Sequence, residues 1–236
     1  MNNLNYQWPF IGIVLAALFF IYLGFKRRVG LFSLSGWFAL LLPLYMVHQF
    51  EEHGIDLFGQ RFAFQSYFCN VIGFYGDLLS CPATPEFIIA VNVGTVWILG
   101  TFSWLLGVKR PFLGASMAAL LFVNGWVHFG STLYHLSYNP GVATSVLLFL
   151  PVSTWVFYLC IKDKVLSYFQ LVVALFCGVL IHLVLIGSLR AFQAGLIHHS
   201  VLLWIQILNA AFPVALAYLM PRVSTDFSAL KGNASC

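Results

Sequence analysis

The chain has 236 residues, of which 61% are hydrophobic and only 8% are charged, and its formal net charge is +4. Soluble domains carry roughly a quarter charged residues, so this composition excludes a water-soluble domain, a disordered chain and a coiled coil. The basic residues stand in short clusters between apolar runs, which is typical of membrane topology signals and not of a nucleic-acid-binding surface. The composition therefore predicts an integral membrane protein.

Apolar runs of about 20 residues, the length that crosses a bilayer, recur along the chain and predict an all-α, polytopic membrane helix bundle. In the first run, Lys26, Arg27 and Arg28 follow the apolar stretch instead of preceding it, so we expect this run to remain as a helix and not to be a signal peptide. The seven predicted spans cover residues 9–25, 31–50, 87–108, 112–136, 142–161, 165–189 and 200–220.

The basic residues of the loops predict the orientation of the bundle. With the N-terminus outside, nine Lys and Arg residues lie in cytoplasmic segments and only Arg61 and Arg190 lie outside, as the positive-inside rule requires. We therefore expect an N-out/C-in topology, one transmembrane domain over residues 1–220 and a short cytoplasmic tail over 221–236. So compact a chain favours the bacterial inner membrane. The nine cytoplasmic residues are Lys26, Arg27, Arg28, Lys109, Arg110, Lys162, Lys164, Arg222 and Lys231.

The longest segment between spans, residues 54–85, lies outside in this topology and is rich in aromatic residues. An interfacial aromatic belt and a cap over a site both explain this composition, and we favour a cap that also lies at the interface. Cys69 and Cys81 fall in the same segment, where an oxidising compartment could join them in a disulfide. The aromatic residues are Phe58, Phe62, Phe64, Tyr67, Phe68, Phe74 and Tyr75.

Ionisable residues gather at the outer end of the second span. Such residues are costly within a membrane, so each one is a candidate functional residue. His48, Glu51 and Glu52 stand at i, i+3 and i+4 and therefore project from one helix face. One imidazole and two carboxylates on adjacent turns can chelate a divalent metal, and the Glu-x-x-His pairs of di-iron bundles are a related arrangement.

The fourth span carries a polar stripe formed by Asn124, His128, Ser131 and His135 at helical spacing. A continuous polar face of this kind is expected to point into the bundle and away from lipid. The span ends in the residues YNPG, 138–141, which predict a tight turn.

The remaining polar candidates also lie in the outer half of the bundle. Asn92 falls in the third span, His182 in the sixth, and His198 and His199 open the seventh. A single His or Asn in a span is commonly an interhelical hydrogen-bond partner. Asn92 and His182 could therefore either join helices or belong to the functional site. His198 and His199, and also His53 at the end of the second span, can equally be interfacial residues.

Three short motifs, in this order, resemble the signature motifs of the HXXEE domain family, which consists of small multispanning membrane proteins of unknown function. They are HQFEE (48–52), the N-x-x-x-H that ends at His128, and Y-x-P-G (138–141), and the resemblance covers at least residues 48–150. It implies a shared site but no established reaction. The residues implied are His48, Glu51, Glu52, Asn124, His128, Tyr138, Pro140 and Gly141.

The favoured hypothesis is a metal-dependent membrane enzyme that acts on a lipid or isoprenoid, a small hydrophobic substrate reached from the outer leaflet. A mixed His and carboxylate set suits Zn, Fe or Mn better than Ca, Mg or Cu(I). Zinc would support hydrolysis with the spare Glu as base, two irons would support oxidation, and hydrolysis is slightly favoured. The expected metal ligands are His48, Glu51, Glu52, His128, His135, His182 and His199; Glu52 and Tyr138 are catalytic candidates; Asn124 and Asn92 would orient ligands.

Two other functions stay open: a transporter or proton relay that binds a cation in transit, and a non-catalytic lipid-binding subunit. A relay predicts polar residues continuing toward the cytoplasm, whereas the fourth span below Asn124 reads FLGASMAALLFV. No inverted repeat of the transporter type is visible either. This one-sided distribution favours a closed pocket over a pathway. The sequence does not specify an oligomeric state.

Overall fold

The structure is a computed structural model that describes residues 4–25, 33–73 and 81–220, and within these ranges it contains helices and no strand. The predicted loop residues Lys26–Arg28, Phe74 and Tyr75, and the tail over 221–236, lie outside the described residues. The helices are α1 (Leu4–Phe25), α2 (Leu34–His53), α3 (Ala63–Asn70), α4 (Pro85–Leu106), α5 (Pro111–His135), α6 (Val142–Lys162), α7 (Tyr168–Gln193), α8 (His199–Asn209) and α9 (Ala211–Leu219).

Six helical segments in the described ranges, with α8 and α9 counted as one, are long and apolar enough to cross a membrane. They correspond to six of the seven predicted spans and confirm an all-helical integral membrane protein. The remaining predicted span, α2, is a 20-residue helix. It is less apolar because its last two turns carry the residues HQFEEH. The N-out/C-in orientation and the single-domain boundary stay predictions.

α5 is the central helix of the bundle. Of its most apolar 18-residue window, 67% is buried, compared with 28–44% for the other five candidate spans. Small residues allow the neighbouring helices to approach α5 closely. A Cβ at Gly114 would lie 2.3 Å from the Phe38 ring of α2, and a Cβ at Gly178 of α7 would lie 2.7 Å from the Ala119 carbonyl oxygen. These contacts hold α2 and α7 against α5.

Local signals account for where several helices begin. The Ser33 hydroxyl caps α2 by accepting from Gly36 N, and Thr84 caps α4 directly before a proline at the first helical position. At α7, Ser167 and Gln170 form a reciprocal capping box. These caps satisfy backbone N–H groups that would otherwise lack partners at the helix ends.

α4 and α6 each contain a π-helical segment, Ala90–Trp97 in α4 and Ser145–Phe149 in α6. A π-helical turn contains more residues than an α-helical turn, so it rotates the side chains that follow, and such segments occur frequently at functional sites. The segment in α4 contains Asn92, and the one in α6 begins directly after Thr144. Both residues contact the candidate site described below.

The described residues between α2 and α4 pack on the ends of several helices. Phe68 of α3 lies in a buried apolar cluster with Phe87 of α4, Leu189 of α7 and Leu202 of α8. The structure pairs Cys69 with Cys81 in a disulfide whose Cα atoms are 5.8 Å apart. This bond ties α3 to the residues that precede α4.

We expect the double variant Cys69→Ser/Cys81→Ser to lower the free energy of unfolding by about 3 kcal/mol. The disulfide joins residues 12 positions apart, and this loop restricts the conformations of the unfolded chain. Thermal unfolding of the detergent-solubilised protein measures the effect. A reducing agent should lower the melting temperature of the wild type to that of the variant and leave the variant unchanged. A wild type that is insensitive to reductant would contradict the prediction. Cys160→Ser, at a buried cysteine outside the disulfide, is the control for reductant sensitivity.

Candidate functional site

Polar side chains at the end of α2 are buried in the interior of the bundle. His48, Gln49, Glu51, Glu52 and His53 each have at most 7% of their surface exposed. Burial of an ionisable or amide group is unfavourable unless the group finds compensating partners. The partners of these five side chains therefore define the candidate site.

Glu52 lies at the centre of a group of histidines. The Nε2 atom of His128 is 3.0 Å from Glu52 Oε1, and the Nε2 atoms of His48 and His53 are 3.3 Å and 3.4 Å from Glu52 Oε2. His48, Glu52 and His128 each offer one ligand atom within 4.8 Å of the other two, which is close enough to hold a metal ion. We call these three residues the His–Glu–His cluster.

The hydrogen bonds of His48 determine which of its ring nitrogens carries hydrogen. Its Nδ1 is 2.8 Å from the hydroxyl oxygen of Thr144, and that hydroxyl donates to Glu51 Oε2 at 2.6 Å. Because the hydroxyl has a single hydrogen, His48 Nδ1–H must be the donor to Thr144. In the neutral imidazole Nε2 then has no hydrogen, and in the structure this buried atom has no hydrogen-bond partner.

Asn139 fixes His128 in the same tautomer. The Asn139 amide nitrogen donates to the backbone carbonyl of His128 at 3.4 Å, which leaves its Oδ1 to accept from His128 Nδ1–H at 3.2 Å. The His128 Nε2 that faces Glu52 is therefore an unprotonated nitrogen in the neutral ring.

A longer chain of hydrogen bonds orients His53. The indole N–H of Trp97 donates to Gln49 Oε1 at 2.7 Å, and Gln49 Nε2 donates to Asn92 Oδ1 at 3.0 Å. Asn92 Nδ2 then lies 3.3 Å from His53 Nε2. An indole N–H can only donate, so both amides have one consistent orientation and His53 Nε2 is an acceptor.

Three imidazole lone pairs thus face one buried carboxylate. This arrangement is repulsive unless a proton or a metal cation lies among these atoms. A histidine that donates through one nitrogen to a neighbour and leaves the other bare has the geometry of a metal ligand. Two histidines with one carboxylate are a donor set found in catalytic zinc sites and in non-haem iron sites.

Glu51 has a different role from Glu52. Its Oε1 accepts from the Tyr138 hydroxyl at 2.9 Å and from Ala143 N at 3.1 Å, and its Oε2 accepts from the backbone N–H and the hydroxyl of Thr144. A carboxylate at this position stabilises the start of α6, where backbone N–H groups lack partners. Burial raises the pKa of Tyr138 above its ordinary value, and the nearby Glu51 carboxylate raises the pKa further, so the phenol remains a donor.

We expect Glu51→Gln to destabilise the protein by about 1–3 kcal/mol, since an amide nitrogen would then face N–H and O–H donors. Glu86→Gln changes an exposed carboxylate and is the matched control, with little expected effect. Thermal unfolding in detergent measures the loss for both variants. A Glu51→Gln variant as stable as Glu86→Gln would contradict the role assigned to Glu51.

The turn between α5 and α6, which contains the YNPG motif, places Gly141 against the His–Glu–His cluster. Its φ of +95° is the left-handed conformation that favours glycine. A Cβ on Gly141 would lie 2.8 Å from Glu52 Cγ, 2.8 Å from His48 Cε1 and 2.9 Å from His128 Cε1. The backbone of the turn therefore packs directly on all members of the cluster, and only glycine leaves them room.

A cavity of about 200 Å³ opens beside the cluster. Glu52, His53, His128 and Asn139 line its polar end, and side chains from α3, α4, α5 and α7 line its largely apolar remainder. Asn124 and His182 also lie on its wall. The apolar lining includes Phe64, Phe68, Phe87, Val91, Leu120 and Ile181.

The structure brings some of the predicted residues together and separates others. Besides the His–Glu–His cluster, Glu51 and Tyr138 are joined by a hydrogen bond beside it, and Asn92 reaches it through His53. Asn124 makes no hydrogen bond with His128. The residue that bonds to the His128 ring is Asn139.

The three other predicted histidine ligands lie outside the cluster. His182 lines the same cavity and bonds to the Gly178 carbonyl. His135 makes edge contacts with Tyr67 and Tyr134, and His199 lies 3.3 Å from the Thr84 hydroxyl. None of these three belongs to the group of side chains in the described ranges that could hold a metal.

Sequence reasoning missed four residues that hold the site in place: Gln49, Trp97, Asn139 and Thr144. Gln49 and Asn139 lie inside the HQFEE and YNPG motifs, so the motifs themselves could have identified them. Thr144 and Trp97 stand outside any motif, and their partners are 96 and 48 residues away in the chain. Only the tertiary packing identifies them.

Comparison with known protein families gives a match. The model of a family described as "Protein of unknown function with HXXEE motif" matches residues 39–156, which are 118 of the 236 residues. No curated protein and no solved structure matches the chain. The matched region contains the His–Glu–His cluster, Glu51, Asn139 and the turn at Gly141. The chain belongs to the HXXEE family.

Proposed function

We propose that the protein is a metal-dependent membrane enzyme whose metal is held by His48, Glu52 and His128. The observation that carries this proposal is the convergence of two bare imidazole Nε2 atoms on one buried carboxylate. The surroundings support it, because Thr144 and Asn139 hold the two rings through their Nδ1 atoms. Zinc, iron and manganese are the ions that suit such a ligand set.

Hydrolysis fits this site better than oxidation at two irons. A bound zinc would activate water and polarise a carbonyl or phosphoryl oxygen. His53 is the candidate to exchange protons with the site, because its ring lines the cavity and its Nε2 lies 3.4 Å from Glu52. The part of the chain that the structure describes offers one such group of ligands. Glu51, which the sequence predicted as a further metal ligand, already accepts hydrogen bonds from four donors.

The cavity supports a lipid or isoprenoid as the substrate. Its polar end lies at Glu52, His53 and His128, and most of its wall is apolar. A small amphiphilic molecule would place the bond that reacts beside the cluster and its apolar part among the helices. Such a substrate would reach the site from the surrounding membrane.

The inner half of α5, the central helix, argues against a transport pathway along it. The inner half of α5 contributes Leu113, Ala115, Met117 and Leu121 to the buried apolar core. A proton relay or cation path needs polar groups that continue across the membrane. Within the described residues the polar side chains of α5 stop at Asn124, apart from Ser116, whose hydroxyl bonds to its own helix. These features favour a closed site.

The experiment is an untargeted lipid assay with the purified protein. The zinc-, iron- and manganese-loaded forms are each incubated with a total lipid extract of the expression host, and products are identified by mass spectrometry. We expect the zinc form to cleave a lipid with the addition of water, and Glu52→Gln to lose the reaction. Glu86→Gln is the control and should retain it. Metal-loaded, folded protein that changes no lipid would overturn the proposal, and oxygen insertion by the iron form would replace hydrolysis by oxidation.

A further inference from the structure

Several polar side chains on the cavity wall take no part in the proposed chemistry, and Asn124 and His182 are two of them. Asn124 makes no hydrogen bond with the described residues, and its Oδ1 is buried without a partner. His182 Nδ1 lies 2.8 Å from the Gly178 carbonyl oxygen. A carbonyl only accepts, so Nδ1 carries the hydrogen and Nε2 is an acceptor with no hydrogen-bond partner among the described residues.

Asn124 and His182 lie at the same depth on facing helices. A Cβ at Gly178 of α7 would be 2.7 Å from the backbone carbonyl oxygen at position 119 of α5 and 3.2 Å from Val123 Cγ2, so Gly178 faces the turn 119–123. α7 runs in the same direction as α5, so His182, one turn beyond Gly178, faces the next turn of α5, which contains Asn124. Asn124 is also one turn below His128, a rise of about 6 Å along the helix axis. The two side chains therefore form a second polar position, one helical turn deeper than the His–Glu–His cluster.

We infer that the substrate carries a hydroxyl group about one helical turn from the reacting bond, and that Asn124 and His182 bind this hydroxyl. The inference rests on the proposed function and names the class of its substrate. A hydroxyl can donate to His182 Nε2 and still exchange a hydrogen bond with the Asn124 amide. A carbonyl has no hydrogen for His182, and an ammonium would place a charge among apolar walls.

The size of the cavity limits the apolar part of this substrate. A dry protein cavity of about 150 Å³ binds benzene. The cavity here is about 200 Å³, so in proportion it holds about eight carbon atoms. This suits an aromatic ring or a short branched segment, and a longer acyl chain would have to extend out of the cavity into the surrounding membrane.

The first test uses the metal-free protein with p-cresol and toluene, two probes that differ by one hydroxyl. Equilibrium dialysis in detergent, with empty micelles as the blank, gives the ratio of their affinities. We expect this ratio to favour p-cresol about tenfold more in the wild type than in Asn124→Leu or His182→Phe, the effect of one net hydrogen bond. His135→Phe, outside the cavity, is the matched control and should keep the wild-type ratio. Equal ratios in the wild type and both cavity variants would overturn the inference.

The second test connects the hydroxyl position to the metal. Zinc-loaded protein is titrated with hexanohydroxamic acid and with its 6-hydroxy derivative, whose hydroxamate can bind zinc. We expect the 6-hydroxy compound to bind about tenfold more tightly, and His182→Phe to remove the difference. Equal, zinc-dependent binding of both compounds overturns the inference and leaves the proposed function standing. Binding of both compounds that does not depend on zinc counts against the proposed function, while the p-cresol ratio still decides the inference.

Discussion

His128→Ala is expected to abolish stoichiometric metal binding by the purified protein, whereas His135→Ala leaves it unchanged. Both histidines belong to α5, but only His128 places a bare Nε2 3.0 Å from Glu52. His135 contacts the rings of Tyr67 and Tyr134 instead. Loss of residues that merely orient a ligand costs 10–100-fold in metal affinity, so we expect loss of a ligand to cost at least about 100-fold. Elemental mass spectrometry of the detergent-purified variants measures the metal content.

The comparison between the two histidine variants separates a ligand from a general effect on folding. Both variants should show cooperative thermal unfolding, and only His128→Ala should lose zinc, iron or manganese. A His128→Ala variant that keeps one metal per chain would exclude His128 as a ligand. A wild type that binds none of the three ions after reconstitution would exclude the metal site and leave a cluster that shares protons.

Gly141→Ala is expected to have the second large effect, on both stability and metal binding. The added Cβ would lie within 2.9 Å of Glu52, His48 and His128, and the φ of +95° is unfavourable for alanine. Overpacking and backbone strain each cost about 1–3 kcal/mol. We therefore expect a loss of about 3 kcal/mol in the free energy of unfolding, together with displacement of the ligands and loss of bound metal.

Gly195→Ala is the matched control for this substitution. Gly195 also has a positive φ, +70°, but a Cβ there would meet no atom within 4 Å. The control therefore suffers backbone strain alone, about 1 kcal/mol, and keeps its metal. Thermal unfolding and elemental analysis of the two variants give the comparison. Equal behaviour of Gly141→Ala and Gly195→Ala would show that the contacts of Gly141 with the cluster have no energetic effect.

The helical architecture could be predicted from the sequence because membrane spans have a strong local signal. About 20 apolar residues in a row are sufficient for a span, and that pattern depends on no other part of the chain. α2 is less apolar than the other spans because HQFEEH, which contains the candidate site residues, replaces apolar residues in its last turns. The buried partners of those residues are what makes a helix with so polar an end stable in the bundle.

The candidate site could be predicted only in part, because helical spacing gives the face of a side chain but not its partner. Spacing placed Asn124 one turn from His128, yet His128 bonds to Asn139 across the turn. Likewise Glu51 and Glu52 are adjacent in sequence, but they point to different partners because α6 begins beside Glu51. The first choice depends on a contact 11 positions away and the second on contacts about 90 positions away, and helical spacing encodes neither.

The hydrogen bonds from Trp97 to His53 also determine how protons can reach the site. Gln49 and Asn92 are amides, and an amide cannot pass a proton along without reversing its orientation. The indole donor at Trp97 permits only one orientation of each amide. These amides therefore do not conduct protons on that side of His53, and a proton at His53 Nε2 moves to or from Glu52, 3.4 Å away, or the cavity that both residues line. Proton exchange at the site thus becomes tied to whatever molecule fills the cavity.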